Sequence, residues 1–139
     1  MKTLYTASVT VVGGRNGEVK SSDGILNFPV RMPKELGGNG GATNPEQLFA
    51  AGYAACFDGA LNLVARNQKI AVGQTSITAH VSIGPNDKGG FQLAAKLQVK
   101  IPGVERNVGE QLLKAAHEVC PYSNATRGNI DVELELLPA

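Results

Sequence analysis

The feature that most constrains this chain is a segment before its midpoint that reads as a helix with very little polar surface. Asn44 and Pro45 are residue types favoured at the N-cap and at the first helical position. From residue 48 to residue 65 the side chains are apolar nearly all round a helix, and many of them are alanine or glycine. Such a helix needs neighbours on several sides. We therefore expect a long, buried central helix around which the fold is built.

Strand patterns lie on both sides of this helix. Alternating polar and apolar residues predict strands at residues 3–12, 18–22, 25–31, 75–83, 91–101 and 130–136. An amphipathic pattern predicts a second helix over residues 104–119, which Pro121 ends. The resulting order, β-β-β-α-β-β-α-β, predicts an α+β fold with antiparallel sheets and not a doubly wound parallel one.

The length and charge of the chain limit its possible roles. Its 139 residues show no break in composition, so we expect a single domain over residues 1–139. The net charge is +1 and the basic residues form no stripe, which argues against a nucleic-acid partner. The N-terminus lacks the apolar core of a signal peptide, and the longest apolar run, residues 48–57, is about half a membrane span. These features predict a cytoplasmic protein without a membrane partner.

The chain contains two cysteines, Cys56 in the central helix and Cys120 at the end of the second helix. In a reducing compartment a disulfide is more often transient and catalytic than structural, so the pair favours redox chemistry. Cys120 suits a resolving role, because the partial negative charge of a helix C-terminus disfavours a thiolate. The alternative is that both are inert buried side chains. His80 and His117, expected to be exposed on a strand and a helix, have no ligand-like spacing, so no metal site is predicted.

The reactive form of cysteine is the thiolate, and Cys56 lies too far along its helix for the helix dipole to stabilise that form. A cation must therefore come from elsewhere in the fold. Arg15, in a glycine-rich turn between two predicted strands, is the first candidate, because a guanidinium can hold a thiolate and a carboxylate together. Arg66 and Arg127 are weaker candidates.

Two segments surround the cysteines, TNPEQLFAAGYAACF at residues 43–57 and VCPYSNATRGN at residues 119–129. They resemble the two cysteine motifs of the organic hydroperoxide resistance proteins, the Ohr branch of the Ohr/OsmC family. The order of the predicted elements is similar to that family over nearly the whole chain. The resemblance implies an Ohr/OsmC-like fold and an intertwined homodimer with sites at the subunit interface. The OsmC branch, which shares the chemistry, is the alternative.

The resemblance also implies roles for four residues. Cys56 would be the peroxidatic cysteine, Cys120 the resolving cysteine, Arg15 the activating cation, and Glu46 the carboxylate that holds Arg15. The implied activity is reduction of alkyl or fatty-acid hydroperoxides without a bound cofactor, with an external dithiol of the lipoyl type as reductant. A thiol redox sensor, in which the disulfide changes the affinity for a partner without turnover, is the competing function.

A preference for organic peroxides requires an apolar channel. Candidates to line it are Phe28, Met32, Leu36, Phe49 and Phe57, with an ordinary core position as the alternative for each. Geometry adds a further expectation. Glu46 and Cys56 are ten residues apart, which is about 15 Å along a helix and far for one arginine to bridge. We therefore expect the Glu46 and Cys56 of one site to come from different subunits, or the helix to bend near Gly52.

Overall fold

The computed structural model describes all 139 residues, which group into two compact units, Met1–Leu48 and Phe49–Ala139. The elements in chain order are β1 (Val9–Val12), β2 (Glu18–Ser21), β3 (Asn27–Pro29), α1 (Pro45–Asn67), β4 (Ser76–Pro85), β5 (Phe91–Lys100), α2 (Arg106–Val119), α3 (Pro121–Thr126) and β6 (Val132–Leu136). The α+β class and the order of the predicted elements are confirmed, with α3 as an addition. The single domain stays a prediction.

The first unit is built on a three-stranded antiparallel sheet in the order β1-β2-β3. Gly13 and Gly14, with φ of 89° and 59°, take left-handed conformations that allow a short 3₁₀ turn between β1 and β2. Arg15 lies in this turn, as predicted. The strand expected from residue 3 begins only at Val9, because β2 offers pairing partners for four residues.

The second unit contains the other sheet, in the order β4-β5-β6. β4 and β5 form the predicted long antiparallel hairpin, with Ser76 opposite Lys100 at one end and Pro85 opposite Phe91 at the other. The expectation of antiparallel pairing throughout was wrong for β6, which pairs parallel to β5. The reason is the connection: α2 and α3 carry the chain back to the end of the sheet where β5 begins, so β6 runs in the same direction.

Helix α1 begins where the sequence predicted. The side chain of Asn44 caps it, with Oδ1 accepting a hydrogen bond of 2.9 Å from the backbone N–H of Gln47. From Tyr53 onward one face is buried in the core of the second unit, where it packs with side chains of β5 and α2; the buried residues of this face are Tyr53, Phe57, Ala60, Leu61, Val64 and Ala65. Within the chain the opposite face stays open, since Leu63 is 38% exposed. The helix is therefore buried on one side and not all round.

Helix α1 also bears on the prediction, made from the length of the apolar run, that the chain has no membrane-spanning segment. Helix α1 has 23 residues and contains an 18-residue stretch with a mean hydropathy of 1.4, so by length and composition alone it could cross a bilayer, although its continuous apolar run is too short. One third of the residues in this apolar stretch are buried within the chain. The core of the second unit is built on that buried face, as in the core helix of a soluble protein.

Helix α3 was missed by the sequence reasoning, which took Pro121 only as the end of α2. Proline cannot continue a helix but is well suited to the first position of a new one. Pro121 does both here, ending α2 at Val119 and opening α3. Cys120 lies between the two helices and is both the C-cap residue of α2 and the N-cap residue of α3.

Candidate active site

The two cysteines meet in the second unit although 64 residues separate them. Both are free thiols, and their sulfur atoms lie 3.4 Å apart, within hydrogen-bonding distance. A disulfide needs a sulfur separation of about 2.05 Å, so a small displacement of either side chain would close the bond. Cys56 is half-buried and Cys120 has no exposed surface. The more accessible thiol is thus the one on α1.

The surroundings of Cys56 within the second unit do not favour its thiolate. Burial raises the pKa of the Cys56 thiol above its ordinary value, and the adjacent Cys120 raises it further. The backbone N–H of Tyr122 opposes this by hydrogen bonding to the sulfur, which lowers the pKa in part. A cation that activates Cys56 from another part of the fold stays a prediction.

The first unit contains an arginine that is paired with a carboxylate. Arg15 Nη1 donates a hydrogen bond of 3.0 Å to Glu46 Oε2, and Nη2 lies 2.9 Å from Oε1. Oε1 is buried and accepts no well-aligned hydrogen bond, so its contact with Nη2 is mainly ionic. The hydrogen bond raises the pKa of Arg15 and lowers the pKa of Glu46 below its ordinary value of 4.5. The expected contact between these two residues is therefore present, and it forms within one chain.

This ion pair predicts a pH-dependent contribution to stability. Because the pKa of Glu46 is lower in the folded state than in the unfolded one, its ionised form stabilises the fold above pH 4.5. That stabilisation is lost as the pH falls through the lowered pKa. Glu46→Gln should reduce the free energy of unfolding by about 1 kcal/mol at neutral pH, a value discounted for the exposure of Arg15. The difference from the wild type should vanish in acid.

Urea unfolding of both proteins across a pH series measures this effect. Glu18→Gln is the matched control, because Glu18 is 66% exposed and lies 3.6 Å from its partner Arg31. This control should stay within a few tenths of a kcal/mol of the wild type. A Glu46→Gln deficit that persisted unchanged in acid would show that the ion pair is not its cause.

The weaker cation candidates are placed differently. Arg66 is exposed in the last turn of α1. Arg127 donates hydrogen bonds to Asn124 Oδ1, at 2.8 Å, and to the backbone oxygen of His117. It is thus engaged in holding the end of α3 to α2.

One of the two histidines departs from expectation. His80 is an exposed residue of β4, as predicted, and hydrogen bonds to Gln98 at 2.9 Å. His117 was expected to be exposed but is half-buried, with Nδ1 at 2.9 Å from Ser123 Oγ. Burial lowers the pKa of His117, and the nearby Arg127 lowers it further. No group of three His, Cys, Asp or Glu side chains in the chain is arranged to hold a metal ion.

A cavity of about 840 Å³ opens beside the residues that follow Cys120. Pro121 and Tyr122 line it together with Phe49 and residues near the tip of the β4–β5 hairpin, among them Phe91. The rings of Phe49 and Tyr122 meet edge to face with 6.0 Å between their centroids. Sequence reasoning missed Tyr122, although an aromatic residue directly after a Cys-Pro pair was an available signal.

The residues expected to line a channel are divided between the two units. Phe49 borders this cavity. Phe57 has no exposed surface and belongs to the core, so its assignment to a channel wall is corrected. Phe28 and Met32 are half-buried and Leu36 is exposed, all three in the first unit.

The fold and the sulfur contact define an α+β protein with a two-cysteine site between its central helix and a helix junction. The family described as OsmC-like protein matches residues 38–135. An organic hydroperoxide resistance protein of Xanthomonas axonopodis pv. citri (strain 306) is 53% identical over 97% of this chain and 96% of its own. The organic hydroperoxide resistance protein OhrA of Bacillus subtilis (strain 168) is 54% identical, with 96% of each chain covered.

A solved structure supports the same assignment. The crystal structure of an organic hydroperoxide resistance protein from Elizabethkingia anophelis, with thiocyanate bound, is 56% identical and superposes with a TM-score of 0.96 over 100% of both chains. The chain therefore belongs to the OsmC-like family, in its organic hydroperoxide resistance branch. The resemblance noted in the sequence is thereby confirmed.

Proposed function

We propose that this protein is a thiol peroxidase that reduces organic hydroperoxides, such as alkyl and fatty-acid hydroperoxides, to alcohols. The observation that carries the proposal is the 3.4 Å contact between Cys56 and Cys120 in the reduced chain. A half-buried thiol beside a fully buried one is the arrangement that a two-cysteine peroxidase requires. The relatives named for organic hydroperoxide resistance support the substrate class. We further propose that the protein acts in the cytoplasm in the response to oxidative stress.

The reaction follows from the positions of the two sulfurs. The Cys56 thiolate attacks the terminal oxygen of the hydroperoxide, the O–O bond breaks, and the alkoxide takes a proton to leave as the alcohol. Cys56 is now a sulfenic acid. Cys120 attacks its sulfur, a disulfide forms, and the hydroxyl leaves as water with the proton of the Cys120 thiol. An external dithiol, for which we propose the lipoyl type, reduces the disulfide by exchange and is itself oxidised.

Organic substrates need an apolar surface next to Cys56. We propose that the cavity bordered by Phe49 and Tyr122 supplies this surface, because the backbone N–H of Tyr122 is hydrogen bonded to the Cys56 sulfur, although Cys56 itself does not line the cavity. Its lining is mixed, since Asn86, Asp87 and Lys88 lie on its hairpin side. An alkyl chain would pack against the aromatic side, because burial of each methylene there is worth about 0.8 kcal/mol. Hydrogen peroxide gains nothing from such packing.

We also propose that the protein is a homodimer in which Arg15 and Glu46 of one subunit activate Cys56 of the other. In one chain Arg15 is bound to Glu46, and Cys56 lies ten residues further along the same helix, about 15 Å in axial rise. Apolar side chains available for a partner are exposed on β1, where Val9, Val11 and Val12 are 47%, 50% and 72% exposed.

A steady-state assay tests the proposed activity. The wild type should turn over cumene hydroperoxide many times with dihydrolipoamide or dithiothreitol, and should turn over hydrogen peroxide much more slowly. A redox sensor would consume about one equivalent of peroxide and stop. That single-equivalent result, or equal rates with both peroxides, would contradict the proposal.

Replacing Arg15 tests the source of the activating cation. In a Cys120→Ser background, Arg15→Ala should raise the pKa of Cys56 by at least about one unit, because the thiolate loses its counter-charge. The ultraviolet absorbance of the thiolate, titrated with pH, measures the change. Arg66→Ala and Arg127→Ala are the controls and should leave the pKa of Cys56 in place. If the pKa of Cys56 rose in one of the control variants and not in Arg15→Ala, the activating role would belong to the arginine replaced in that control.

Mixed dimers test which subunit supplies the arginine. A chain carrying Cys56→Ser and a chain carrying Arg15→Ala are each defective alone. If the arginine acts across the interface, a heterodimer of the two contains one complete site and should recover about half the wild-type activity. If the arginine acts within its own chain, mixing restores nothing.

A further inference from the structure

A buried hydrogen bond runs beside the cysteine contact, one helical turn away on both elements. Tyr53 precedes Cys56 by three residues on α1, and Ser123 follows Cys120 by three residues in α3. Tyr53 Oη and Ser123 Oγ are 2.9 Å apart, and neither residue has exposed surface. Because the two contacts share this register, α1 and the start of α3 run in opposite directions past each other. The hydroxyl contact and the sulfur contact therefore lie side by side on the same two elements.

The hydroxyl pair belongs to a chain of four hydrogen bonds. Tyr53 Oη also lies 3.1 Å from Thr126 Oγ1, whose own proton goes to the backbone oxygen of Ser123 at 3.3 Å. Each hydroxyl has one proton to donate. If Thr126 donates to that oxygen, Tyr53 must donate to Thr126, Ser123 to Tyr53, and His117 Nδ1 to Ser123 over 2.9 Å. One arrangement of protons thus satisfies every member of the chain.

The packing around Tyr53 leaves little freedom for another arrangement. A Cβ atom at Gly52 would lie 2.6 Å from the hydroxyl oxygen of Tyr122, so the Tyr122 side chain occupies space on α1 that the glycine leaves free. Breaking the Tyr53–Ser123 bond would leave the buried hydroxyl proton of Ser123 without an acceptor, which costs more than the bond itself contributes. The junction that carries Cys120 is therefore held to α1 by a bond with no water to replace it.

We propose that Tyr53 and Ser123 are positioning residues that hold Cys120 within disulfide-forming distance of Cys56. In catalysis this position would let Cys120 react with the Cys56 sulfenic acid before a second peroxide does, and this consequence rests on the proposed function. The statement about the distance between the two thiols does not depend on that function. A pair of thiols held in contact has a high effective concentration, and this quantity can be measured without any peroxide.

The experiment equilibrates the reduced protein with glutathione redox buffers and counts the Cys56–Cys120 disulfide by alkylation and mass spectrometry. Tyr53→Phe keeps the ring and removes the hydroxyl; Ser123→Ala removes the other partner. Each should lower the effective concentration about tenfold, since the thiols then sample a wider range of separations. The double variant should fall little further than either single one, because both remove the same bond.

Thr75→Val is the matched control. Thr75 Oγ1 donates a 2.5 Å hydrogen bond to Asp58 Oδ1, two residues after Cys56 on α1, and accepts one of 2.9 Å from Asn62; neither partner belongs to the hydrogen-bond chain of Tyr53 and Ser123. This variant should lower the free energy of unfolding and leave the effective concentration within about twofold of the wild type. An equal loss of effective concentration in Thr75→Val would overturn the proposal.

An unchanged effective concentration in both Tyr53→Phe and Ser123→Ala would also overturn it. If Tyr53→Phe does not fold, the result for Ser123→Ala decides alone. A wild type without peroxidase turnover would refute the proposed function and leave this result standing.

Discussion

Cys56→Ser should abolish peroxidase turnover, with a loss of at least about 10⁴-fold, the order found when a catalytic nucleophile is removed. The reason is the chemistry of the attacking atom. A serine hydroxyl is not ionised near neutral pH and is a poor nucleophile towards a peroxide oxygen, whereas a thiolate is a strong one. The measurement is steady-state consumption of cumene hydroperoxide with a dithiol reductant. The fold should be intact, because serine is close to cysteine in size and the site is half-buried.

Ala55→Ser is the control for this result. Ala55 is an exposed neighbour on the same helix, so a hydroxyl there changes the local polarity without removing the thiol. Turnover should stay close to that of the wild type. Substantial turnover in Cys56→Ser would show that Cys56 is not the nucleophile. Cys120, the only other thiol in the chain, would then be the candidate.

Cys120→Ser should allow one turnover and then stop. The first peroxide converts Cys56 to a sulfenic acid, but no second thiol lies within reach to form the disulfide, since the 3.4 Å contact is lost. With excess peroxide the sulfenic acid should proceed to sulfinic and sulfonic acids. Mass spectrometry of the Cys56 peptide, read together with peroxide consumption, measures both events.

The wild type treated with the same excess of peroxide is the comparison, and it should accumulate disulfide while dithiol is limiting. Sustained turnover of Cys120→Ser with dithiols would contradict the resolving role, because it would mean that the reductant attacks the sulfenic acid directly. A variant that consumed no peroxide at all would instead assign part of the first step to Cys120.

Local signals in the sequence were sufficient for most of the fold. The start of α1 followed from Asn44 and Pro45, because a cap is decided by the residues that form it. The β4–β5 hairpin followed from alternation on either side of a glycine-rich turn. Errors occurred where an element depends on a distant partner: β1 begins late because of the length of β2, and β6 is parallel because of the helices before it.

The sequence by itself determined most of the elements and the two cysteine motifs, since capping and periodicity act over a few residues; a cation at Cys56 stays a prediction from the sequence. The tertiary structure alone decided that Cys120 contacts Cys56, that Arg15 binds Glu46 and that Phe57 is core. It also produced the hydrogen bond between Tyr53 and Ser123, 70 residues apart. Contacts of this kind arise from how helices and strands pack, and the spacing of residues along a chain does not encode them directly.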